Sequence, residues 1–385
     1  MHILGHLTVE EFLRDYWQKK PVLIRNAWPG FEPLLSAEEL AGLSLEEEIE
    51  SRIVQEEGPD EPWQVSTGPF SEDTYQNLPK EKWTLLVQAV DQWITEADDL
   101  LEHFRFIPSW RIDDLMISYA VDGGSVGPHY DQYDVFLLQA EGQREWRIGQ
   151  MCSEQSAIVK GPKIRLLEQF DQTDSFVLNP GDMLYLPPKL AHYGIAQGEC
   201  MTYSIGFRAP SVAELSQALA DDISQHSSED IRYHDADLKL QADTGLVSSE
   251  ASQRLRELIA DILNDEDRLQ NILGRLMTEP KYPDYLPDVL DDIEWEDLAE
   301  ELAHSKTWRR AEFARFAFSD GKETLSFYAL GMSREFMPEQ RDLLAYLSNT
   351  NEYNTETLLG LAKSEEAQAL LLQLCQRQYI YSIEE

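Results

Sequence analysis

Long apolar runs are missing from this chain. No stretch approaches the roughly 20 apolar residues that a membrane-spanning helix needs, so no membrane span or membrane partner is expected. Cysteine is scarce: Cys152, Cys200 and Cys375 make an odd number with no close pair. That speaks against a disulfide framework or a zinc knuckle and leaves buried free thiols as the default. Basic residues are in deficit, with 32 Lys and Arg against 71 Asp and Glu and a net charge of −39. A surface of that sign disfavours non-specific and direct nucleic-acid binding and favours a basic partner; solubility or a salty habitat would account for the same charge. The opening MHILGHLTVEEFLRDYW lacks the basic start, apolar middle and small-residue cleavage site of a signal peptide, and a cytoplasmic location is the expectation.

What is present is ordinary globular composition. Hydrophobic residues are 42% and aromatics 10% of 385 residues, enough for a substantial core and for two or three domains. Residues 8–20 have the marks of a helix: Thr8 to cap it, Glu10 and Glu11 in the first turn, Lys19 and Lys20 at its end, Pro21 as the stop. Val22-Leu23-Ile24 then reads as a short strand, residues 36–49 as a helix, Trp63–Val65 as a strand and residues 80–105 as a helix with Trp83, Leu86, Val87, Val90, Trp93 and Ile94 as its apolar stripe. From Asp113 the texture changes. Leu115–Ala120, Asp134–Ala140, Arg144–Ile148, Lys163–Leu167, Ser175–Leu178, Met183–Leu186 and Met201–Phe207 are short, apolar and punctuated by turn residues, the pattern of a sandwich or barrel. Glu141-Gly142-Gln143 and Asn179-Pro180-Gly181-Asp182 are the turn signals between them.

Residues 211–225 and 248–277 read as amphipathic helices without a core of their own. Their stripe runs through Leu255, Leu258, Ile259, Ile262 and Leu263 into Leu269, Ile272, Leu273 and Leu276, and it predicts either a packed bundle or a homodimer interface. Past the Pro-rich Glu279–Pro287, the strands Phe313–Phe318 and Thr324–Leu330 flank Ser319-Asp320-Gly321-Lys322, a strong hairpin signal, and helices follow near 339–348, 355–362 and 364–376 with a terminal strand at Tyr379–Ile383. This is the pattern of a winged helix. From Tyr285 onward, 20 acidic residues against nine basic ones point to a protein contact rather than nucleic acid. The expected organisation is therefore α+β: residues 1–210 as a double-stranded β-helix (cupin, or jelly-roll) barrel with N-terminal helices, 211–280 as a helical dimerisation region, and 285–385 as a winged-helix-like domain.

The chemistry concentrates in GGSVGPHYDQYDVFLLQAEGQREWRI, residues 123–148. His129 and Asp131 are two apart, so on an extended chain both side chains reach one ion. An oxygenase iron takes two His and one carboxylate on one triangular face, so a distant second His is required. His192 in NPGDMLYLPPKLAHYG is the candidate. Five residues separate Gly181 from Pro187 and four separate Pro187 from His192, the spacing with which cupin barrels present a His at the barrel mouth; Gly123 before His129 fits the companion half. Arg144 alternates with Trp146 and Ile148, so if those point inward it does too. A buried guanidinium needs an anion, and a dicarboxylate would supply one in bidentate geometry. A rim salt bridge with Glu141 or Glu145 is the simpler reading of the same residue.

Taken together, His129-Tyr130-Asp131, Arg144 and the Gly181–Pro187–His192 motif resemble the Jumonji C Fe(II)/2-oxoglutarate oxygenases of the cupin type, and FLRDYWQKKPVLIRNA resembles the N-terminal element of that superfamily. The order of barrel, helical segment and winged-helix-like end is similar to the ribosomal oxygenases, above all the bacterial branch that hydroxylates an arginine of large-subunit ribosomal protein sixteen. The resemblance implies His129, Asp131 and His192 as ligands of Fe(II), and Arg144 as the anchor for the far carboxylate of 2-oxoglutarate, with Ser118 and Ser204 as further contacts to that co-substrate. It also implies a basic ribosomal protein as substrate and hydroxylation coupled to decarboxylation of 2-oxoglutarate to succinate. Asp122, just before the Gly123-Gly124 loop, is a candidate partner for a substrate guanidinium, although a turn Asp is as natural there. Three alternatives stay open on sequence: histidine hydroxylation or demethylation of another basic protein, a cupin enzyme without a co-acid, and a non-catalytic protein-binding scaffold.

Overall fold

The computed structural model describes residues 3–56, 63–161, 164–226, 232–290 and 292–383. The chain divides into two compact units, the first Met1–Ala209 with Tyr282–Pro287 and Arg310–Phe313, the second Pro210–Lys281 with Asp288–Arg309 and Ala314–Glu385.

In the first unit, helix α1 (Val9–Asp15) begins with a capping box: the Thr8 hydroxyl accepts from the Glu11 N–H at 3.1 Å, and the Glu11 carboxylate accepts from the Thr8 N–H at 2.9 Å. Two of the helix's orphan donors are thereby satisfied. Past Asp15 the chain continues in turns to Lys19 rather than as helix. Phe12 is fully buried. Its ring meets Tyr185 edge-on at 5.0 Å and Phe136 at 5.4 Å, which ties the N-terminus to the sheet; truncating such a side chain to Ala costs about 3–5 kcal/mol.

Strand β1 (Val22–Ile24) and helix α2 (Ala37–Leu43) follow, then β2 (Ser51–Gln55), β3 (Gln64–Thr67), helix α3 (Glu72–Gln76), β4 (Trp83–Val87), helix α4 (Thr95–Leu101), β5 (Ile112–Ala120), β6 (Val135–Met151), β7 (Asp174–Leu178), β8 (Met183–Leu186) and β9 (Leu190–Phe207). They form one nine-stranded sheet in the order β1-β8-β6-β9-β5-β4-β2-β3, with β7 also on β6. All its pairings are antiparallel. The long strands β6 and β9 pair along their length, and β6 takes β8 beside Val135–Leu138 and β7 beside Arg144–Ile148. A strand shared in this way curls the sheet into the double-stranded β-helix barrel expected from the motifs.

Four further local expectations fail. Glu141-Gly142-Gln143 is not a hairpin turn. It is a pair of bulges inside continuous β6, with Gly142 at φ +62° and packed so closely on the Glu199 carbonyl that a side chain would collide with it. Glycine signals both devices, and only long-range pairing tells them apart. Residues 83–87 are strand, not helix. Leu85 and Val87 enter the core and Thr84 is also buried; a strand covered on both faces loses the period-two signature. The helix expected over 36–49 stops at Leu43. Lys163 lies outside the described residues, and Leu167 joins only an isolated bridge to Ile158 rather than a strand.

The second unit holds helices α5 (Val212–His226), α6 (Ser249–Leu263), α7 (Glu266–Thr278) and α8 (Trp295–His304), strands β10 (Thr307–Arg310), β11 (Phe316–Asp320), β12 (Leu325–Ala329) and β13 (Met332–Phe336), helix α9 (Arg341–Asn349), β14 (Glu352–Asn354), helices α10 (Thr355–Leu361) and α11 (Glu365–Gln376), and β15 (Ile380–Ile383). The predicted hairpin is β11–β12, closing at Asp320 and Leu325. With β13 it makes one three-stranded sheet, and β14-β10-β15 makes another. Such small sheets among helices are the winged-helix architecture. Asp265 caps α7 through the Arg268 N–H at 3.2 Å, so the stripe splits into two helices. On α6, Leu255, Ile259 and Leu263 remain exposed, while Ile272 on α7 is buried.

Candidate metal centre

His129 and Asp131 lie on the extended segment between β5 and β6, and His192 near the start of β9. The two histidines face each other across an antiparallel bridge: the His129 N–H donates to the His192 carbonyl at 3.0 Å, and the His192 N–H to the His129 carbonyl at 2.8 Å. One residue pair further on, the Lys189 N–H donates to the Asp131 carbonyl at 2.7 Å. The backbone itself thus brings the two halves of the motif together. One ligand atom from each of His129, Asp131 and His192 can be chosen so that all lie within 4.8 Å of one another.

The ring nitrogens are sorted as well. His129 Nδ1 is 2.8 Å from the Gly127 carbonyl and His192 Nδ1 is 2.9 Å from the Leu190 carbonyl. A carbonyl only accepts, so Nδ1 carries the proton in both rings and Nε2 is left as a lone-pair donor. Burial, and then the neighbouring His129, push the His192 pKa down to about 4, which keeps that imidazole neutral near pH 7. Two imidazoles and one carboxylate on one side of a cavity are the donor set for a divalent iron-type ion with positions left for other ligands.

The same cavity encloses about 590 Å³, including its open mouth, and Arg144 and Ser118 line it with His129, Asp131 and His192. Arg144 is buried, and its Nη1 donates to the Ser118 hydroxyl at 3.2 Å. Its Nε and Nη2 are buried without a partner. Neither Glu141 nor Glu145 pairs with it: Glu145 bonds Arg147 at 2.9 Å and Ser175 at 2.7 Å. The Arg144 guanidinium also stands 5.7 Å from the centre of the Trp146 ring. Ser118 passes its own proton to the Thr202 carbonyl at 3.3 Å. Ser204 lines the cavity too.

Asp122 is elsewhere. It is exposed, does not line the cavity, and its carboxylate accepts from the Gly198 N–H at 2.7 Å. Besides Asp131, the acidic group that lines the cavity is Asp114, with Met116, Tyr133 and Gly206 also on its wall. Asp114 is buried and accepts from Gln88 Nε2 at 2.5 Å, while Gln88 Oε1 accepts from Arg52 at 3.3 Å. A cation on one side and a carboxylate on the other leave that amide a single orientation. The Asp131 charge, with burial second, holds the Tyr133 phenol above its ordinary range. Sequence reasoning passed over Asp114, Thr84, Gln88 and Tyr133. A signal for Asp114 existed, since Asp114, Met116 and Ser118 alternate on one face of β5.

Comparison with known proteins agrees with this geometry. A JmjC domain family matches residues 99–215, and a ROXA-like winged helix family matches residues 257–381. A protein of Escherichia coli named ribosomal protein uL16 3-hydroxylase is 38% identical over 294 residues, spanning 74% of this chain and 78% of its own. Among solved structures, E. coli ycfD superposes with a TM-score of 0.87 at 32% identity over 98% of both chains. A second structure of YcfD, a ribosomal oxygenase described in complex with cobalt and 2-oxoglutarate, superposes with a TM-score of 0.85 at 32% identity, again over 98% of both chains.

Proposed function

The chain belongs to the JmjC-domain ribosomal oxygenases, and from that premise we propose that it is an Fe(II)- and 2-oxoglutarate-dependent hydroxylase of an arginine in the large-subunit ribosomal protein uL16, protein sixteen of that subunit. One observation carries the reading: the three ligands and a buried guanidinium with two unpartnered N–H groups share one cavity. The metal with its co-acid, when bound, supplies the oxidising chemistry and turns 2-oxoglutarate into succinate and carbon dioxide. The chain's own part is to hold and to aim. His129 and His192 offer Nε2, and Asp131 its carboxylate. Arg144 holds the far carboxylate, Ser118 steadies Arg144, and Ser204 stands on the same wall as a further contact. Binding the co-acid there fixes its other end against the ligand face and removes the rotational freedom that reaction would otherwise have to overcome.

The substrate enters past Asp114. A buried carboxylate bonded by an amide and lying beside an aromatic ring is suited to a guanidinium, and in this reading it takes the role expected of Asp122. The net charge of −39 steers a basic ribosomal protein toward the mouth. The exposed Leu255, Ile259 and Leu263 form the face through which two copies of the chain pair as a homodimer, and a monomeric mass by light scattering would refute that pairing.

The test is mass spectrometry of uL16 incubated with the protein, Fe(II) and 2-oxoglutarate. One added oxygen on one arginine is expected, and oxygen on a histidine or on no residue would overturn the assignment. Asp114→Asn should lose this hydroxylation by roughly tenfold or more, as expected for a charge-assisted hydrogen bond, while succinate formation without substrate persists.

A further inference from the structure

Four side-chain atoms in the cavity are buried with no hydrogen-bond partner: Arg144 Nε and Nη2, Trp146 Nε1 and Thr84 Oγ1. Thr84 is 1% exposed. It sits on β4 opposite Ala120, two residues along from the Leu86–Ser118 pair, and strand alternation puts Thr84, Leu86 and Ser118 on the cavity side. A lone buried hydroxyl is a cost to the fold that a valine of the same shape would not carry. Threonine at such a place makes sense if something that is not part of the chain accepts its proton.

We propose that Thr84 is a third donor to the far carboxylate of the co-acid, completing with Arg144 a cradle in which Nε and Nη2 take the carboxylate side-on while the Thr84 hydroxyl caps it. Arg144 Nη1 is committed to Ser118 at 3.2 Å, so Nε and Nη2 are the edge left for bidentate contact, and that edge needs a donor from another strand to fix the tilt of the carboxylate. The inference rests on the reading of 2-oxoglutarate as co-substrate and adds to it a residue that sets diacid preference.

Calorimetric titration of the Mn(II)-loaded protein without oxygen separates the two ideas, using 2-oxoglutarate and 2-oxobutanoate, which lacks the far carboxylate. Wild type should prefer 2-oxoglutarate strongly. Thr84→Val should weaken 2-oxoglutarate roughly tenfold, leave 2-oxobutanoate unchanged, and melt no lower than wild type in the absence of ligand; Thr84→Ser should restore the preference. If Thr84→Val keeps the full preference, or weakens both acids equally, the cradle role is wrong and the co-substrate reading stands. If wild type itself shows no preference, the co-substrate reading fails and Thr84's role falls with it.

Discussion

The two ends of the cavity are built on opposite plans. At the metal end, each imidazole Nδ1 already has a carbonyl, and the backbones of His129 and His192 clasp each other by two hydrogen bonds. The chain finishes that end by itself. At the other end Arg144 and Thr84 are buried with donors unmet, so that end is finished only when an anion arrives. A metal site must hold its geometry before the ion comes, or affinity is lost to reorganisation. A co-substrate pocket instead gains affinity and selectivity from groups left expensive without the right ligand.

This contrast predicts how each end breaks. Loss of a ligand is the larger effect. His129→Ala or Asp131→Ala should lower succinate formation by more than about a hundredfold, because even the partners of metal ligands are commonly worth 10–100-fold. Chelation should abolish turnover reversibly, with Fe(II) restoring it. Yet the chelated protein should stay folded by circular dichroism, since the His129–His192 bridge and the Lys189–Asp131 bond need no ion. Unfolding on chelation would show that the metal end is not self-supporting and would erase the distinction.

The legibility of the two ends in the sequence follows from the same contrast. The metal end was readable because short spacings carry it: two candidate ligands two positions apart, then a glycine, a proline and a histidine at fixed intervals. The barrel was readable as many short strands, and the β11–β12 hairpin from Ser319–Lys322. What escaped depends on partners far along the chain. Gly142 announces a turn in one dimension and proves to be a bulge because β9 lies alongside it, with the Glu199 carbonyl where a side chain would go. Thr84 sat in a segment read as helix, since a strand with both faces covered has no alternation to show. Asp122 and Asp114 differ in placement for a similar reason. Proximity in sequence to the metal motif favoured Asp122, whereas β5 alternation carries Asp114 into the cavity and the Gly198 N–H engages Asp122 outside it.

Arg144→Met is the sharper test, because it separates function from stability at one residue. A carboxylate held by a bidentate guanidinium gains two charge-assisted hydrogen bonds at about 1.5–3 kcal/mol each, so KM for 2-oxoglutarate should rise roughly 10²–10⁴-fold, with the metal still bound. The fold should not suffer in step. Methionine fills much of the same volume, removes a buried charge whose Nε and Nη2 have no partner, and frees Ser118, which keeps its bond to the Thr202 carbonyl at 3.3 Å. Replacing buried charged groups by apolar ones is often neutral or stabilising by about 1–4 kcal/mol. The ligand-free variant should therefore melt at or above the wild-type temperature by calorimetry, and saturating 2-oxoglutarate should raise the wild-type midpoint but hardly move the variant's. A ligand-free variant that melts well below wild type would mean that Arg144 serves the barrel before it serves any ligand, and the two ends of the cavity would then be built alike.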